Sequence, residues 1–233
     1  AEPIAAARTG RWQVHLTPRA AAMDWLGDVR GRRILCLASG GGQQAPVLAA
    51  AGADVTVFDL CEQQLALDRA VAARDGLRLQ AVQGDMRDLK AFGHGSFDVV
   101  FHPVSNLFVP DVRPVWAECH RVLARDGLLL ASFYNPVLFV GSDDPPLAEQ
   151  GLMRPRFAIP YSDLEDLPAD ERQAKQARGE AMTFGHSLGD LIGGQLDAGF
   201  VIERFMEDWQ PRPRVLIERY LPAFLATRAR RIG

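Results

Sequence analysis

The sequence predicts an α/β protein built on a doubly wound, mostly parallel sheet of seven strands whose last strand runs antiparallel. Three observations carry that expectation. Short apolar runs alternate with stretches of helical periodicity from Arg32 to Phe133. The first run ends in Gly40, Gly41 and Gly42, and an acid, Asp59, closes the second run about 20 residues further on. The chain then closes on a helix, a strand and an alternating return strand, "LDAGFVIERF" followed by "AFLATRAR".

Each element has a local reason. "RRILCLA" is a short apolar run stopped by glycines, the mark of a buried strand. "QAPVLAAAG" follows as a helix with Pro46 in its first turn and Gly52 as its stop. "DVTVFD" is rich in β-branched residues, and "CEQQLALDRAVAARDG" reads as a helix stopped by Gly76. "LRLQAVQGD" and "FDVVFHPV" give the third and fourth strands. Between Asp111 and Leu123, Val115, Trp116, Cys119, Val122 and Leu123 share one helical face, with Gly127 as the expected stop before "LLLASF".

After Phe133 the rhythm breaks, and the prolines and the charged stretch "EDLPADERQAKQARGE" predict a cap rather than a bare loop. Within it "MRPRFAI" and "EAMTFGH" are candidates for a hairpin. Ser187 with Asp190 resembles a capping box ahead of a helix stopped by Gly199. The expected organisation is a lid segment over 1–30, a core over 31–138 and 187–233, and a cap over 139–186.

The bulk properties exclude more than they name. The chain has 233 residues, 48% of them hydrophobic, and a formal net charge of −3. That balance gives no pull toward nucleic acid or anionic membrane. No apolar run approaches the roughly 20 residues of a membrane span. Cys36, Cys61 and Cys119 lack metal-ligand spacing, and with no secretory signal they point to a reducing cytoplasm. Nothing in the chain indicates an oligomeric state.

In an open parallel sheet, ligands bind beyond the carboxyl ends of the strands. Glycines after the first strand let main-chain N–H groups approach a ligand, and Asp59 can accept both hydroxyl hydrogens of a ribose. Gly40, Gly42 and Ala45 also satisfy a dinucleotide fingerprint, so a nicotinamide-dependent oxidoreductase is an alternative. Against it stand Asp85 and Met86 after the third strand, where a carboxylate can accept from an adenine amino group and a thioether can cover the ring. "HPVSN" after the fourth strand offers main-chain carbonyls to an ammonium group.

Taken together, "ILCLASGGG", "VFD", "QGDM", "HRVLARDGLLLASF" and "LDAGF" resemble the class I S-adenosylmethionine-dependent methyltransferases. The likeness spans residues 31–133 and 187–230. It implies S-adenosylmethionine as cofactor, with Gly40 and Gly42 against its amino-acid part and Asp59 on the ribose hydroxyls. Leu60 would lie beside the adenine, framed by Asp85 and Met86. Ala38, Ser39, Gly41, His102 and Pro103 complete the implied cofactor set. The chain departs from the family at Cys36, where an acid is usual, and at Ala38, where a glycine is usual. Carbonyls of Ala38 and His102, or a residue of the N-terminal segment, are the expected substitutes for that acid.

The same likeness implies methyl transfer by in-line displacement, which is mainly a positioning task. His102 is the candidate catalytic residue. Asn106, Phe108, Tyr134, Tyr161 and His186 are candidates for the acceptor site, although an outward-pointing His186 is the simpler expectation. Trp12, His15 and Trp25 either fold over the cofactor or pack on the sheet edge. His120 is expected to be solvated. "HPVS" stands where enzymes acting on nucleobase amino groups carry an N-P-P-Y motif, and the basic residues are scattered apart from "RARR". The expected partner is therefore a small-molecule methyl acceptor at O or N, with neither nucleic acid nor membrane. A non-catalytic cofactor-binding domain is the third reading.

Overall fold

In the computed structural model, which describes residues 2–19, 23–141 and 144–233, one sheet organises the chain. The strands are β1 (Arg33–Leu37), β2 (Asp54–Asp59), β3 (Gln80–Gln83), β4 (Phe97–His102) and β5 (Leu123–Tyr134). A small ribbon of β6 (Tyr161–Ser162) and β7 (Phe184–Gly185) precedes β8 (Phe200–Asp208) and β9 (Phe224–Arg231). The seven-stranded sheet has the order β3-β2-β1-β4-β5-β9-β8. β1 to β5 pair in parallel, and β9 pairs antiparallel with both β5 and β8. The order reverses beside β1, which places a crevice at the carboxyl ends of β1 and β4.

Helices α1 (Glu2–Arg8), α2 (Met23–Leu26), α3 (Gln44–Ala50), α4 (Glu62–Asp75) and α5 (Arg113–Val122) precede the cap segment. That segment carries α6 (Pro145–Glu149) and α7 (Ala169–Ala177), and α8 (Gly194–Asp197) follows it. The central strands are apolar on both faces because both faces are covered. Side chains alternate across β1. Ile34 and Cys36 join Leu48, Val55, Phe101 and Leu130 on the face covered by α1 and α3. Leu35 and Leu37 join Phe58, Trp116, Phe133 and Leu191 on the opposite face.

Trp116 anchors that second layer. It is fully buried, its Nε1 donates to the Asp190 carbonyl at 2.9 Å, and a Cβ at Gly194 would lie 2.8 Å from its Cδ1. The helix expected after Ser187 opens as a π-helical turn over Gly189–Gly193 before α8. Ser187 caps it as the sequence suggested, with the Asp190 N–H donating to Ser187 Oγ at 3.1 Å.

Three expectations need correction. Gly127 does not stop α5: the chain turns extended at Leu123 and enters β5 directly, with Gly127 inside that strand. "MRPRFAI" forms no strand, and the ribbon pairs Tyr161 with Gly185 and Ser162 with Phe184. The charged stretch of the cap, residues 165–180, is a solvated face with no buried side chain, while just before it Asp163 is buried and accepts from Tyr161 Oη, Lys175 Nζ and the Thr183 N–H. A carboxylate removed from water needs such partners. His120 is half-buried rather than solvated: it packs edge-on against Phe200 at 5.2 Å and would touch any Cβ added at Gly199.

The N-terminal residues pack on the sheet. α1 lies against α3, and Val14, Leu16 and Trp25 are buried. Trp12 packs against the apolar core, while His15 is exposed. Ser132 on β5 fastens this segment by donating to the Leu16 carbonyl while accepting from the Val104 N–H at 3.0 Å. Asp208 on β8 accepts from Thr17 Oγ1 at 2.6 Å and from the Arg19 N–H at 2.8 Å.

At the end of β3, a Cβ on Gly84 would lie 2.2 Å from Phe58 Cζ, in the floor of the crevice. Gly84→Ala is therefore expected to cost about 1–3 kcal/mol by overpacking. Urea unfolding measures that loss, and adding Phe58→Leu to the same chain recovers most of it.

Candidate active site

A hollow of about 450 Å³ opens at the carboxyl ends of β1, β2, β3 and β4. Ala38 and Gly40 after β1, Asp59 to Cys61 after β2, and Gly84 to Arg87 after β3 line it, with Ser105 and Phe108 after β4. Gln64 of α4 and Ala181 of the cap segment complete it. Leu60 is 67% exposed and Phe108 48% exposed, so two large apolar side chains stand at the mouth unpacked. Met86 is buried in the wall.

The glycine turn is held by carboxylates. Asp59 accepts from the Gly40 N–H at 3.1 Å through Oδ2 and from the Cys61 N–H at 2.9 Å through Oδ1. Asp68 accepts from the Gly41 N–H at 2.9 Å. Asp68 is fully buried in α4, its Oδ1 has no hydrogen-bond partner among the described residues, and burial pushes its carboxyl above the usual range. It was missed in the sequence. The available signal was an acid on the apolar face of a helix, three residues after Leu65 and four before Ala72, both buried.

The glycines answer to the protein itself as well as to the hollow. Gly41 and Gly42 have φ of 121° and 73°. A Cβ on Gly42 would meet Val71 Cγ2 at 3.0 Å and the Leu67 carbonyl at 3.2 Å, and one on Gly40 would meet Gln64 Cβ at 2.8 Å. The close approach behind Gly42 is therefore that of α4. Ala38, which stands where a glycine is usual, takes a left-handed φ of 47°.

A second strained turn faces it. Val104 has a φ of 56°, an uncommon state for a β-branched residue. Ser105 clamps the two turns together: its N–H donates to the Pro103 carbonyl at 2.6 Å and its hydroxyl to the Ala38 carbonyl. Of the two carbonyls expected to replace the missing acid, that of Ala38 thus already accepts from Ser105, and within "HPVSN" the Pro103 carbonyl faces both the N–H and, at 3.1 Å, the hydroxyl of Ser105. Ser39 Oγ is buried and unpartnered among the described residues. Cys36, in place of the usual acid, is fully buried, and burial pushes its thiol up to about 12.

The remaining sequence candidates fall in different places. Asp85 lines the hollow and is clamped by Arg87 at 2.5 Å, which holds its carboxyl below the usual range. His102 is fully buried, donates from Nδ1 to the Leu37 carbonyl at 2.9 Å and stands edge-on to Trp116. Its Nε2 has no partner among the described residues, and it is not part of the hollow's wall. Asn106 is buried and donates to the Ser132 carbonyl at 2.7 Å. His186 is buried rather than solvated, with Nε2 at 3.0 Å from the Asn106 carbonyl. Tyr161 lies in the ribbon of the cap segment, and Tyr134 lines a separate hollow beside Leu107 and Arg214.

A twisted parallel sheet with one antiparallel return strand and a carboxylate-bounded hollow over its switch point defines a nucleoside-cofactor enzyme of the methyltransferase type. Comparison with known proteins gives the same answer. A family model for a methyltransferase domain matches residues 35–131. The chain is 48% identical over 227 residues to the uncharacterized methyltransferase YbaJ of Bacillus subtilis, covering 97% of this chain and 87% of that one. It is 29% identical over 117 residues to a ubiquinone biosynthesis O-methyltransferase of Bordetella avium, covering 48% of each.

Among solved structures, an S-adenosylmethionine-dependent methyltransferase from Mesorhizobium loti superposes with a TM-score of 0.70 at 22% identity, covering 89% of this chain and 94% of that chain. One from Methanosarcina mazei superposes with a TM-score of 0.64 at 18% identity, covering 90% and 95%. The chain belongs to the class I S-adenosylmethionine-dependent methyltransferases. That membership sets aside the nicotinamide reading of the same glycines. Among the described residues no helix is long and apolar enough to cross a membrane.

Gly42→Val drives a β-branched side chain into α4 at a left-handed position and is expected to cost on the order of 2–4 kcal/mol. A fall in thermal midpoint of the cofactor-free protein is the readout. A variant that melts normally would contradict the close approach of α4.

Burial holds His102 neutral and lowers its pKa to about 4. A group favoured neutral in the folded chain contributes its full stability above the unfolded pKa and loses it as pH falls. The loss spans about pH 6.5 to 4 and amounts to about 3 kcal/mol. Denaturant unfolding followed across that window should steepen with acid in the wild type and flatten in His102→Gln.

Proposed function

We propose that this methyltransferase acts on a small-molecule acceptor at an oxygen or nitrogen atom, in a cytoplasmic setting, with the nucleoside of its cofactor held in the hollow between β1 and β4. The observation that carries the reading is the placement of Asp59 and Asp85 on one hollow, with Met86 and Phe58 in its walls and Leu60 at its mouth. A volume of about 450 Å³ is of the size that small ligands occupy. The residues suit the group chemically. Asp59 accepts ribose hydroxyls, Asp85 accepts an adenine amino group, and the apolar atoms of Leu60, Phe58 and Met86 cover the ring.

The buried Ser39 hydroxyl and the outer lone pairs of the Ala38 and Pro103 carbonyls supply polar atoms for the amino-acid end. When bound, S-adenosylmethionine supplies an electrophilic methyl group on a sulfonium. This chain's residues orient that group and exclude water, and orientation can supply about 7–11 kcal/mol. His102 supports the end of β4 from beneath, in this reading, and transfers no proton. Asn106 and His186 fix the turn at 105–108, while Phe108 offers an apolar wall toward the acceptor. The partial likeness to an O-methyltransferase of ubiquinone biosynthesis supports a small acceptor, as does the scattered distribution of basic residues.

Calorimetry tests the assignment. S-adenosylhomocysteine is expected to bind at micromolar concentration while NADH does not. Asp59→Ala should weaken that binding by roughly 10- to 100-fold through the loss of charge-assisted hydrogen bonds. Unchanged affinity in a folded Asp59→Ala protein would remove the ribose role.

A further inference from the structure

The acid usual in this family on β1 is missing here, yet a carboxylate stands beside the position it would have held. Cys36 occupies that position and is fully buried. Burial raises its thiol, and the Asp68 carboxylate of α4 is near enough to raise it further. Leu65, one helical turn before Asp68, packs in the same apolar cluster as Cys36. The strand position and the helix position therefore meet beneath the glycine turn.

Asp68 is satisfied on one side only. Its Oδ2 accepts from the Gly41 N–H at 2.9 Å, and the Gly42 N–H also favours its charged form. Its Oδ1 is buried without a hydrogen-bond partner among the described residues. No described cation is paired with it: Arg69, its neighbour in the chain, is bound to Glu62. The Ser39 hydroxyl, also beside Cys36, is likewise buried and unpartnered among the described residues.

Holding the turn does not by itself call for this charge. A neutral side-chain oxygen accepts an N–H as well, and a buried carboxylate without a cation is destabilising. An unpaired oxygen on that carboxylate adds to the cost. The charge lies where a cation is due, because the family likeness sets Gly40 and Gly42 against the amino-acid end of the cofactor, which carries an ammonium. Across a turn that excludes water, opposite charges attract more strongly than in bulk solvent. Asp68 does not line the hollow, so it acts through the turn rather than by contact.

We infer that Asp68 takes the place of the missing β1 acid: reaching in from α4 beneath Gly41, its charge positions the ammonium of the cofactor's amino-acid end over the glycine turn. The inference rests on the cofactor assignment above and adds a positioning residue on a different element from the usual one. It also accounts for a thiol at position 36. A second carboxylate there would face Asp68 inside the protein, and two like charges so placed do not both ionise.

The test compares, by calorimetry, S-adenosylhomocysteine with its deaminated analogue, in which hydrogen replaces the ammonium group. Wild-type protein is expected to prefer S-adenosylhomocysteine by at least about tenfold, as a charge pair shielded from water requires. Asp68→Asn keeps an oxygen for the Gly41 N–H and removes the charge. It should erase most of that preference while the affinity of the deaminated analogue stays unchanged. A merely structural role would weaken both ligands alike. Adding Cys36→Asp to Asp68→Asn returns the charge from β1 and should restore the preference.

Equal affinity of the two ligands for the wild type, a preference that survives in Asp68→Asn, or an equal loss for both ligands would overturn the inference. Should Asp68→Asn fail to fold, the exchanged variant takes its place: a restored preference supports the inference, and a folded protein without it overturns it. Failure of both ligands to bind the wild type would instead strike the cofactor assignment, which keeps that outcome apart from binding without discrimination.

Discussion

The whole crevice depends on how two carboxylates hold a glycine turn. Buried main-chain N–H groups of a turn need acceptors, and ahead of α3 Asp59 serves Gly40 while Asp68 serves Gly41. The turn can lie this close to α4 only because Gly40 and Gly42 have no side chain to meet Gln64, Leu67 and Val71. Asp59 reaches the turn because β1 and β2 pair with Leu37 opposite Phe58. Sheet register, helix packing and the floor of the hollow are therefore one constraint. A shift of β2 by one residue would turn Asp59 away and bury its neighbour in its place.

Much of this was legible in the sequence. Buried parallel strands read as apolar runs, and the alternation of "AFLATRAR" marked the return strand that became β9. Gly76 at a left-handed helix end and Gly52 after α3 acted as the stops expected of them. The placement of Asp59 and Asp85 on one hollow followed from the rule that loops at the carboxyl ends of parallel strands converge.

What stayed hidden depends on contacts distant in the chain. Nothing local announces that α5 will run straight into β5, because Leu123 leaves the helix through its own extended backbone and Gly127 serves the strand. The pairing of Tyr161 with Gly185 crosses a helix and many polar residues, and no periodicity encodes it. Asp68 looked like an ordinary helical acid until the turn from β1 was laid on top of it. His186 is hidden by the Asn106 carbonyl, a partner 80 positions away.

The short turn from Ser105 to Phe108 is a party wall. Ser105 ties it to the end of β1, Asn106 to β5, and its next two side chains look into opposite chambers. Should an occupant of the first chamber shift this wall and change the affinity of the second, thermodynamic reciprocity requires the second to change the first by the same factor.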